Sequence, residues 1–219
     1  MTPSDLFRER WRARDNRVLI SVHRGLWGPL PENSRAAIEA GHSFGIVEID
    51  VQLSKDGIPV LMHDPDLQRM AGNTGKVAML SAAELSAHHL REGDGGPDAR
   101  ITQETLPALA DVLADVPDRA FFDFDVKEDR EVEAVAAAIQ NLGHAHTGSI
   151  KIDVNTPEDA KRRAALEERY GIMVMAKVML PDAAPNVIET LVQSGAASAE
   201  IYFDDFDQLG KAAKAAGES

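Results

Sequence analysis

The chain has 219 residues, 44% of them hydrophobic and 27% charged, which is typical of one folded globular domain. Its formal net charge of −13 disfavours a nucleic acid or an anionic membrane surface as a partner. The absence of cysteine excludes disulfides, thiolate metal sites and cysteine nucleophiles.

The first half of the chain predicts alternating helices and strands. We expect a helix over residues 4–15 capped by Ser4, a strand over 18–23, a helix over 32–44 and a strand over 46–53. Neither a signal peptide nor an apolar run of the roughly 20 residues that a membrane span needs is present, so we expect a cytoplasmic protein without stable membrane insertion.

A hairpin is predicted next. Asp56-Gly57 lies between the strand 46–53 and a second extended run, 58–63, and Asp-Gly between extended runs is a strong hairpin signal. Folding about this turn brings His63 back roughly opposite Asp50.

Residues 64–105 are rich in Gly, Asp and Pro, and we interpret them as an insertion over a site. A capping box, Ser81-x-x-Glu84, predicts one helix there, near 82–90. The chain then alternates regularly, with predicted helices at 107–115, 129–142, 157–170, 184–194 and 206–216 and predicted strands at 119–127, 149–154, 172–179 and 200–204. Repeated β-α units imply a parallel sheet in one domain, residues 1–219, either as an open doubly wound sheet or as a closed barrel. The first strand is not followed by a Gly-rich phosphate loop, which weakens the nucleotide-binding alternative.

Polar residues recur at a spacing of two inside the apolar strands. Glu48 and Asp50 share one face of their strand, as do Asp123, Asp125 and Lys127, because alternate side chains of a strand point to opposite faces. Later strands continue the pattern with Lys151, Lys177, Glu200 and Tyr202. A polar face on strand after strand favours the interior of a barrel near its catalytic end.

Several motifs follow one another at close spacing: His23-Arg24-Gly25, Pro31-Glu32-Asn33-Ser34, Glu48-x-Asp50-Val51, Ser54-x-Asp56-Gly57, Val60-x-x-His63-Asp64 and Leu67-x-Arg69. Together they resemble the glycerophosphodiester phosphodiesterase family. The resemblance is dense over residues 23–69 and continues more thinly through Thr105-Leu106 and Asp125-x-Lys127.

The resemblance implies an α/β fold, a TIM-type (β/α) barrel with a small insertion after the second strand. It also implies metal ligands at Glu48, Asp50 and Asp125, an acid and base pair at His23 and His63, and phosphate-binding cations at Arg24 and Lys127. Asp125 departs from the Glu that the family usually has there. The chemistry suits these residue types, since carboxylates hold Mg²⁺ or Ca²⁺ and two histidines can exchange protons near neutral pH.

The expected function is metal-dependent hydrolysis of a small glycerophosphodiester to a glycerol phosphate and an alcohol. The alternatives are a specialised sugar-phosphate (opine-type) diester or a lysophospholipid as substrate, and a non-catalytic barrel that binds a phosphorylated ligand. We count six barrel strands plus the hairpin, whereas closure normally takes eight. A shortened or irregular barrel is therefore expected, and a homodimer would cover its open edge.

Overall fold

The computed structural model describes residues 3–13, 18–115, 120–184 and 186–218. They form two compact units, one within residues 1–148 and one within 149–219. The expectation that the whole chain is one domain stays a prediction.

The first unit is built on a mainly parallel sheet with helices around it. The strands of this unit are β1 (Ser21–Val22), β2 (Ile46–Leu53), β3 (Pro59–Leu61), β4 (His89–Arg91), β5 (Ile101–Thr105) and β6 (Phe121–Val126). Its helices are α1 (Pro3–Arg12), α2 (Arg35–Gly41), α3 (Gln68–Ala71), α4 (Ala82–Ser86), α5 (Leu109–Leu113) and α6 (Val132–Asn141), with 3₁₀ turns at Val77–Met79 and Asp129–Glu131.

Strand β2 is the centre of this unit. It pairs in parallel with β1 and β6 and antiparallel with β3, so the predicted hairpin is confirmed. Val47, Ile49 and Val51 are fully buried on one face of β2, which leaves the opposite face to its polar residues. The alternation of apolar and polar residues in the sequence therefore determines which side chains lie on the polar face of β2.

The insertion after β3 has a small core of its own. The buried residues of this core are Val60, Met62, Leu67, Met70, Val77, Leu85, Leu90 and Leu106. The capping box at Ser81 is present, but α4 ends at Ser86, because His89 already begins β4. The antiparallel β4–β5 pair was not predicted.

Other elements are shorter than the sequence predicts. Strand β1 has two residues and leaves His23 in the following turn. Helix α2 begins at Arg35, because the Ser34 hydroxyl caps it by accepting a hydrogen bond from the backbone N–H of Ala37 at 3.2 Å. The first described residue of helix α1 is Pro3, and the predicted cap depends on the side chain of Ser4, which lies outside the described part of the chain. Phe7 anchors α1 by stacking on Phe121.

The second unit repeats the β-α alternation. Its elements are β7 (Gly148–Asp153), α7 (Pro157–Tyr170), β8 (Met173–Met179), α8 (Val187–Gln193), β9 (Ala199–Tyr202) and α9 (Phe206–Glu218). Strand β8 pairs in parallel with β7 and with β9. No helix in the part of the chain described above is both long and apolar enough to cross a bilayer.

Candidate active site

An acidic cluster lies where β2 and β6 run side by side. The register places Glu48 beside Asp123 and Asp50 beside Asp125, so these four residues share one face of the sheet. Glu48, Asp50 and Asp125 each offer a carboxylate oxygen, and these three oxygens lie within 4.8 Å of one another. The structure thus brings together the three carboxylates predicted as metal ligands.

The turn after β1 is tied to this cluster through backbone. The N–H of Arg24 donates to Glu48 Oε2 at 2.8 Å. Arg24 has a φ of 56°, and Gly25 follows with a φ of 79°. A Cβ at Gly25 would lie 2.7 Å from the backbone carbon of Ala37, so only glycine fits between the turn and α2.

His23 lies at the edge of the cluster, with Nε2 4.0 Å from Glu48 Oε2. Its side chain is 63% exposed, which leaves the ring accessible to a small molecule. Partial burial and the neighbouring Arg24 lower the pKa of His23, and these effects outweigh the opposing influence of Asp50 and Glu32.

Asn33 holds one of the carboxylates from two sides. Its side-chain Nδ2 donates to Asp50 Oδ2 at 2.7 Å, and its Oδ1 accepts from the backbone N–H of Asp50 at 3.0 Å. Its own backbone has a φ of 55°, a conformation that non-glycine residues adopt only where surrounding contacts support it. Asn33 therefore fixes the orientation of Asp50, a role that the sequence did not assign to it.

Two cations lie against the acids. Arg24 Nε is 3.2 Å from Asp50 Oδ2, and Lys127 Nζ is 2.8 Å from Asp125 Oδ2 and also contacts Asp50 Oδ1. Burial lowers the pKa of Lys127, but the charges and hydrogen bonds of Asp50 and Asp125 outweigh it, so the pKa is raised and the amine stays protonated.

His63 follows β3, the hairpin strand that pairs with β2 beside the acids. The N–H of Met62 donates to the carbonyl of Asp50 at 3.2 Å, so Met62 is the residue directly opposite Asp50, and His63 is the next residue. Its Nδ1 lies 2.8 Å from Asp64 Oδ1. The prediction that folding about the turn brings His63 roughly opposite Asp50 is therefore off by one residue.

Four residues of the site received no role from the sequence: Glu32, Gln52, Asp64 and Arg69. Glu32, Asp64 and Arg69 stand in motifs that carry the family resemblance, but their contacts depend on the tertiary fold, since Arg69 and Glu32 meet across 37 positions of the chain. Gln52 shares the face of Glu48 and Asp50 by simple alternation, so the strand pattern could have found it.

The donor set fits a hard divalent cation. Three carboxylates converge, and oxygen ligands are those that Mg²⁺ and Ca²⁺ prefer. Asp50 is fully buried and Glu48 is 5% exposed, so a cation held here would be largely shielded from water on the protein side.

A family model described as the glycerophosphoryl diester phosphodiesterase family matches residues 23–179. The chain belongs to this family. Glycerophosphodiester phosphodiesterase 1 from Homo sapiens is 29% identical over 149 residues, which cover 64% of this chain and 43% of that protein. A glycerophosphodiester phosphodiesterase from Bacillus altitudinis is 33% identical over 114 residues, 49% of this chain and 44% of that protein. The chain thus spans less than half the length of these two relatives.

Solved structures of family members show the same fold. The glycerophosphoryl diester phosphodiesterase from Parabacteroides distasonis matches 99% of this chain and 74% of its own at a TM-score of 0.77 and 23% identity. A phosphodiesterase from Oleispira antarctica, solved with its product sn-glycerol-3-phosphate, matches 90% of each chain at a TM-score of 0.54 and 20% identity. The predicted α/β class and TIM-type barrel fold are therefore confirmed. Among the described residues, β1, β2 and β6 run parallel in the first unit, and β7, β8 and β9 run parallel in the second.

Proposed function

We propose that this protein hydrolyses a glycerophosphodiester to a glycerol phosphate and an alcohol at a divalent metal held by Glu48, Asp50 and Asp125. The observation that carries the proposal is the convergence of these carboxylates on one face of β2 and β6, within the residues that the family model matches. The named activities of the relatives and the glycerol phosphate bound by the Oleispira antarctica protein support the same substrate class.

The charges at the centre explain the need for a metal. Glu48, Asp50 and Asp125 are three acids against the two cations Arg24 and Lys127, and Asp123 and Glu32 nearby add to the acidic side, so the centre without a metal would repel a phosphodiester anion. Bound Mg²⁺ or Ca²⁺ would offset this negative charge and supply Lewis-acid stabilisation of the charge that develops on phosphate oxygens.

We assign phosphate binding to Arg24 and Lys127. Both lie at the acid cluster, and the neighbouring carboxylates keep Lys127 protonated. The guanidinium of Arg24 offers parallel N–H donors that suit two phosphate oxygens, whereas the Lys127 ammonium acts as a point charge. Together they counter the negative charge that grows on the phosphate in the transition state.

We assign proton transfer to His23 and His63. One takes the proton of the nucleophile, either water or a neighbouring hydroxyl of the substrate, as its oxygen forms a bond to phosphorus. The other donates a proton to the alcohol oxygen as the bond from phosphorus to that oxygen breaks. Because His63 Nδ1 is occupied by Asp64, its Nε2 is the nitrogen that exchanges protons with the substrate.

A second candidate exists for the substrate. A specialised sugar-phosphate (opine-type) diester or a lysophospholipid is the second candidate, favoured by the small second unit, where three parallel strands follow β6. Turnover of glycerophosphocholine compared with that of a sugar phosphodiester and of a lysophospholipid separates the candidates. Binding of glycerol phosphate without turnover of any diester would favour the non-catalytic barrel instead.

The experiment that tests the proposal is hydrolysis of glycerophosphocholine with Mg²⁺, Ca²⁺, Mn²⁺ or a chelator. We expect turnover that requires a divalent ion and is lost in Asp50→Asn. Two further expectations from the sequence stay predictions: a cytoplasmic location, and a homodimer, for which a monomeric mass in solution would be contrary evidence.

A further inference from the structure

The segment that carries His63 is clamped to β2 by a buried amide. Gln52 is 7% exposed, and its Nε2 lies within hydrogen-bond distance of the carbonyls of Met62 at 2.7 Å, His63 at 3.3 Å and Asp64 at 2.8 Å. Because Gln52 shares a strand face with Glu48 and Asp50, this clamp sets the backbone of His63 relative to the acid cluster.

The imidazole of His63 contacts the carboxylate of Asp64, which in turn accepts hydrogen bonds from Arg69. His63 Nδ1 lies 2.8 Å from Asp64 Oδ1, and Arg69 donates to the same carboxylate through Nε at 2.7 Å and Nη2 at 3.0 Å. The hydrogen bonds from Arg69 lower the pKa of Asp64 from 3.8 to about 2, although burial opposes them. An ionised carboxylate only accepts hydrogen bonds, so Nδ1 of His63 must be the donor.

The chain of contacts continues to the proposed phosphate-binding residue. Arg69 Nη2 donates to Glu32 Oε1 at 2.7 Å, and Arg24 Nη1 donates to Glu32 Oε2 at 2.9 Å. Glu32 is 2% exposed, so its charge is tolerated only because both oxygens meet a guanidinium. Positively and negatively charged side chains therefore alternate along the series Arg24, Glu32, Arg69, Asp64, and charged hydrogen bonds hold each one to the next.

We propose that Glu32, Arg69 and Asp64 are positioning residues for His63, which hold its ring with a proton on Nδ1 and with Nε2 presented for proton transfer. The proposal rests on the proposed function for the role of His63 in turnover, but the tautomer itself follows from the contacts alone. Free neutral imidazole side chains favour the proton on Nε2, so a proton on Nδ1 is a diagnostic signature of the chain of contacts.

The first test is the tautomer of His63, read from long-range ¹H–¹⁵N NMR spectra of the full ¹⁵N-labelled chain at alkaline pH. The His63 signals are identified by their loss in His63→Gln. We expect Nδ1 of His63 to carry the proton in the unmodified protein. In Arg69→Met we expect a larger fraction of His63 to carry the proton on Nε2. Arg100→Met is the matched control, since Arg100 pairs with Glu92 in the same insertion and should leave the spectrum unchanged. A proton on Nε2 in the unmodified protein would overturn the proposal.

The second test is a double-mutant cycle on turnover. Asp64→Asn should lower kcat about tenfold or more with little change in KM, the size typical of a residue that orients a functional side chain. In the His63→Ala background the same substitution should have no further effect on the residual rate, because Asp64 acts through the missing ring. An equal loss in both backgrounds would show a merely structural role. Absence of turnover in the unmodified protein, with the Nδ1 tautomer present, would reject the proposed function and leave the positioning of His63 intact.

Discussion

At the scale of single residues, each carboxylate of the acid cluster has a separate partner that fixes it. Glu48 accepts from the backbone of Arg24, Asp50 from the side chain of Asn33, and Asp125 from Lys127. These partners come from the turn after β1, the loop before α2 and the end of β6. The geometry of the centre therefore depends on groups to which we assign neither metal binding nor proton transfer.

Replacing Glu48 by glutamine tests a proposed metal ligand without changing the size of its side chain. We expect Glu48→Gln to weaken divalent metal binding by about tenfold or more, because the amide keeps the size of the side chain but removes its charge. Isothermal titration with Mn²⁺ measures the affinity. Glu39→Gln is the control, since Glu39 is exposed on α2 and pairs only with Arg35 among the contacts described here. Equal affinity in the unmodified protein and Glu48→Gln would remove Glu48 from the ligand set.

Replacing either of the two proposed catalytic histidines should lower kcat without changing the affinity for metal. We expect His23→Ala and His63→Ala each to lower kcat by about a hundredfold or more, because each removes a group that we propose to transfer a proton, while the affinity for metal is unchanged. His89→Ala, at an exposed position of β4, is the control and should keep full turnover. Retained activity in either variant would contradict the role assigned to that histidine.

At the scale of elements, the turn between β1 and α2 has the least freedom to change. Gly25 and Gly57 both have a φ near 80°, but a Cβ at Gly25 would meet the backbone of Ala37, whereas a Cβ at Gly57 would meet nothing within 4 Å. We expect both glycine-to-alanine variants to lose about 1 kcal/mol or more of unfolding free energy from backbone strain, and Gly25→Ala to lose more. Urea unfolding measures the difference, and equal losses would show that the close approach to α2 is unimportant.

The start of α7 offers a second prediction at this scale, in the second unit. Thr156 accepts from the N–H of Asp159, whose carboxylate accepts in turn from the N–H of Thr156. Thr156→Ala should cost about 1 kcal/mol in unfolding free energy, and Thr156→Ser should cost little because the hydroxyl remains. Equal stability of the two variants in urea would mean that the cap contributes nothing.

Elements with strong local signals were predictable from sequence, and others were not. Strand β2 has the predicted bounds because its apolar and polar residues alternate strictly. Helix α7 also has its predicted bounds, because Thr156-Pro157 begins it and Gly171, with a φ of 67°, ends it. The β4–β5 pair was missed because five-residue β5 has no buried face and its pairing depends on the insertion's own core. Glu32 and Asn33 were predicted to be helical, but tertiary contacts draw them into the site.

At the scale of the whole molecule, stability should depend on pH through Asp64. Its pKa is about 2 in the folded chain, below the ordinary value of 3.8, so ionised Asp64 stabilises the fold. This contribution is fully present above the unfolded pKa and is lost as the pH falls through the folded pKa. We therefore expect the stability difference between the unmodified protein and Asp64→Asn to be constant above about pH 5 and to shrink towards pH 2. A difference that does not depend on pH would show that Asp64 and Arg69 do not form this pair in solution.

We propose that the acids of β2 and β6 form a metal-dependent phosphodiesterase centre. The rate of glycerophosphocholine hydrolysis, with metal and with chelator, by the unmodified protein and by Asp50→Asn tests this proposal. Asp50 is the test residue because it is the fully buried member of the ligand set. We expect turnover that stops with chelator, resumes with a divalent ion and is absent in Asp50→Asn under both conditions. Hydrolysis that persists in chelator, or that Asp50→Asn retains at full rate, would contradict it.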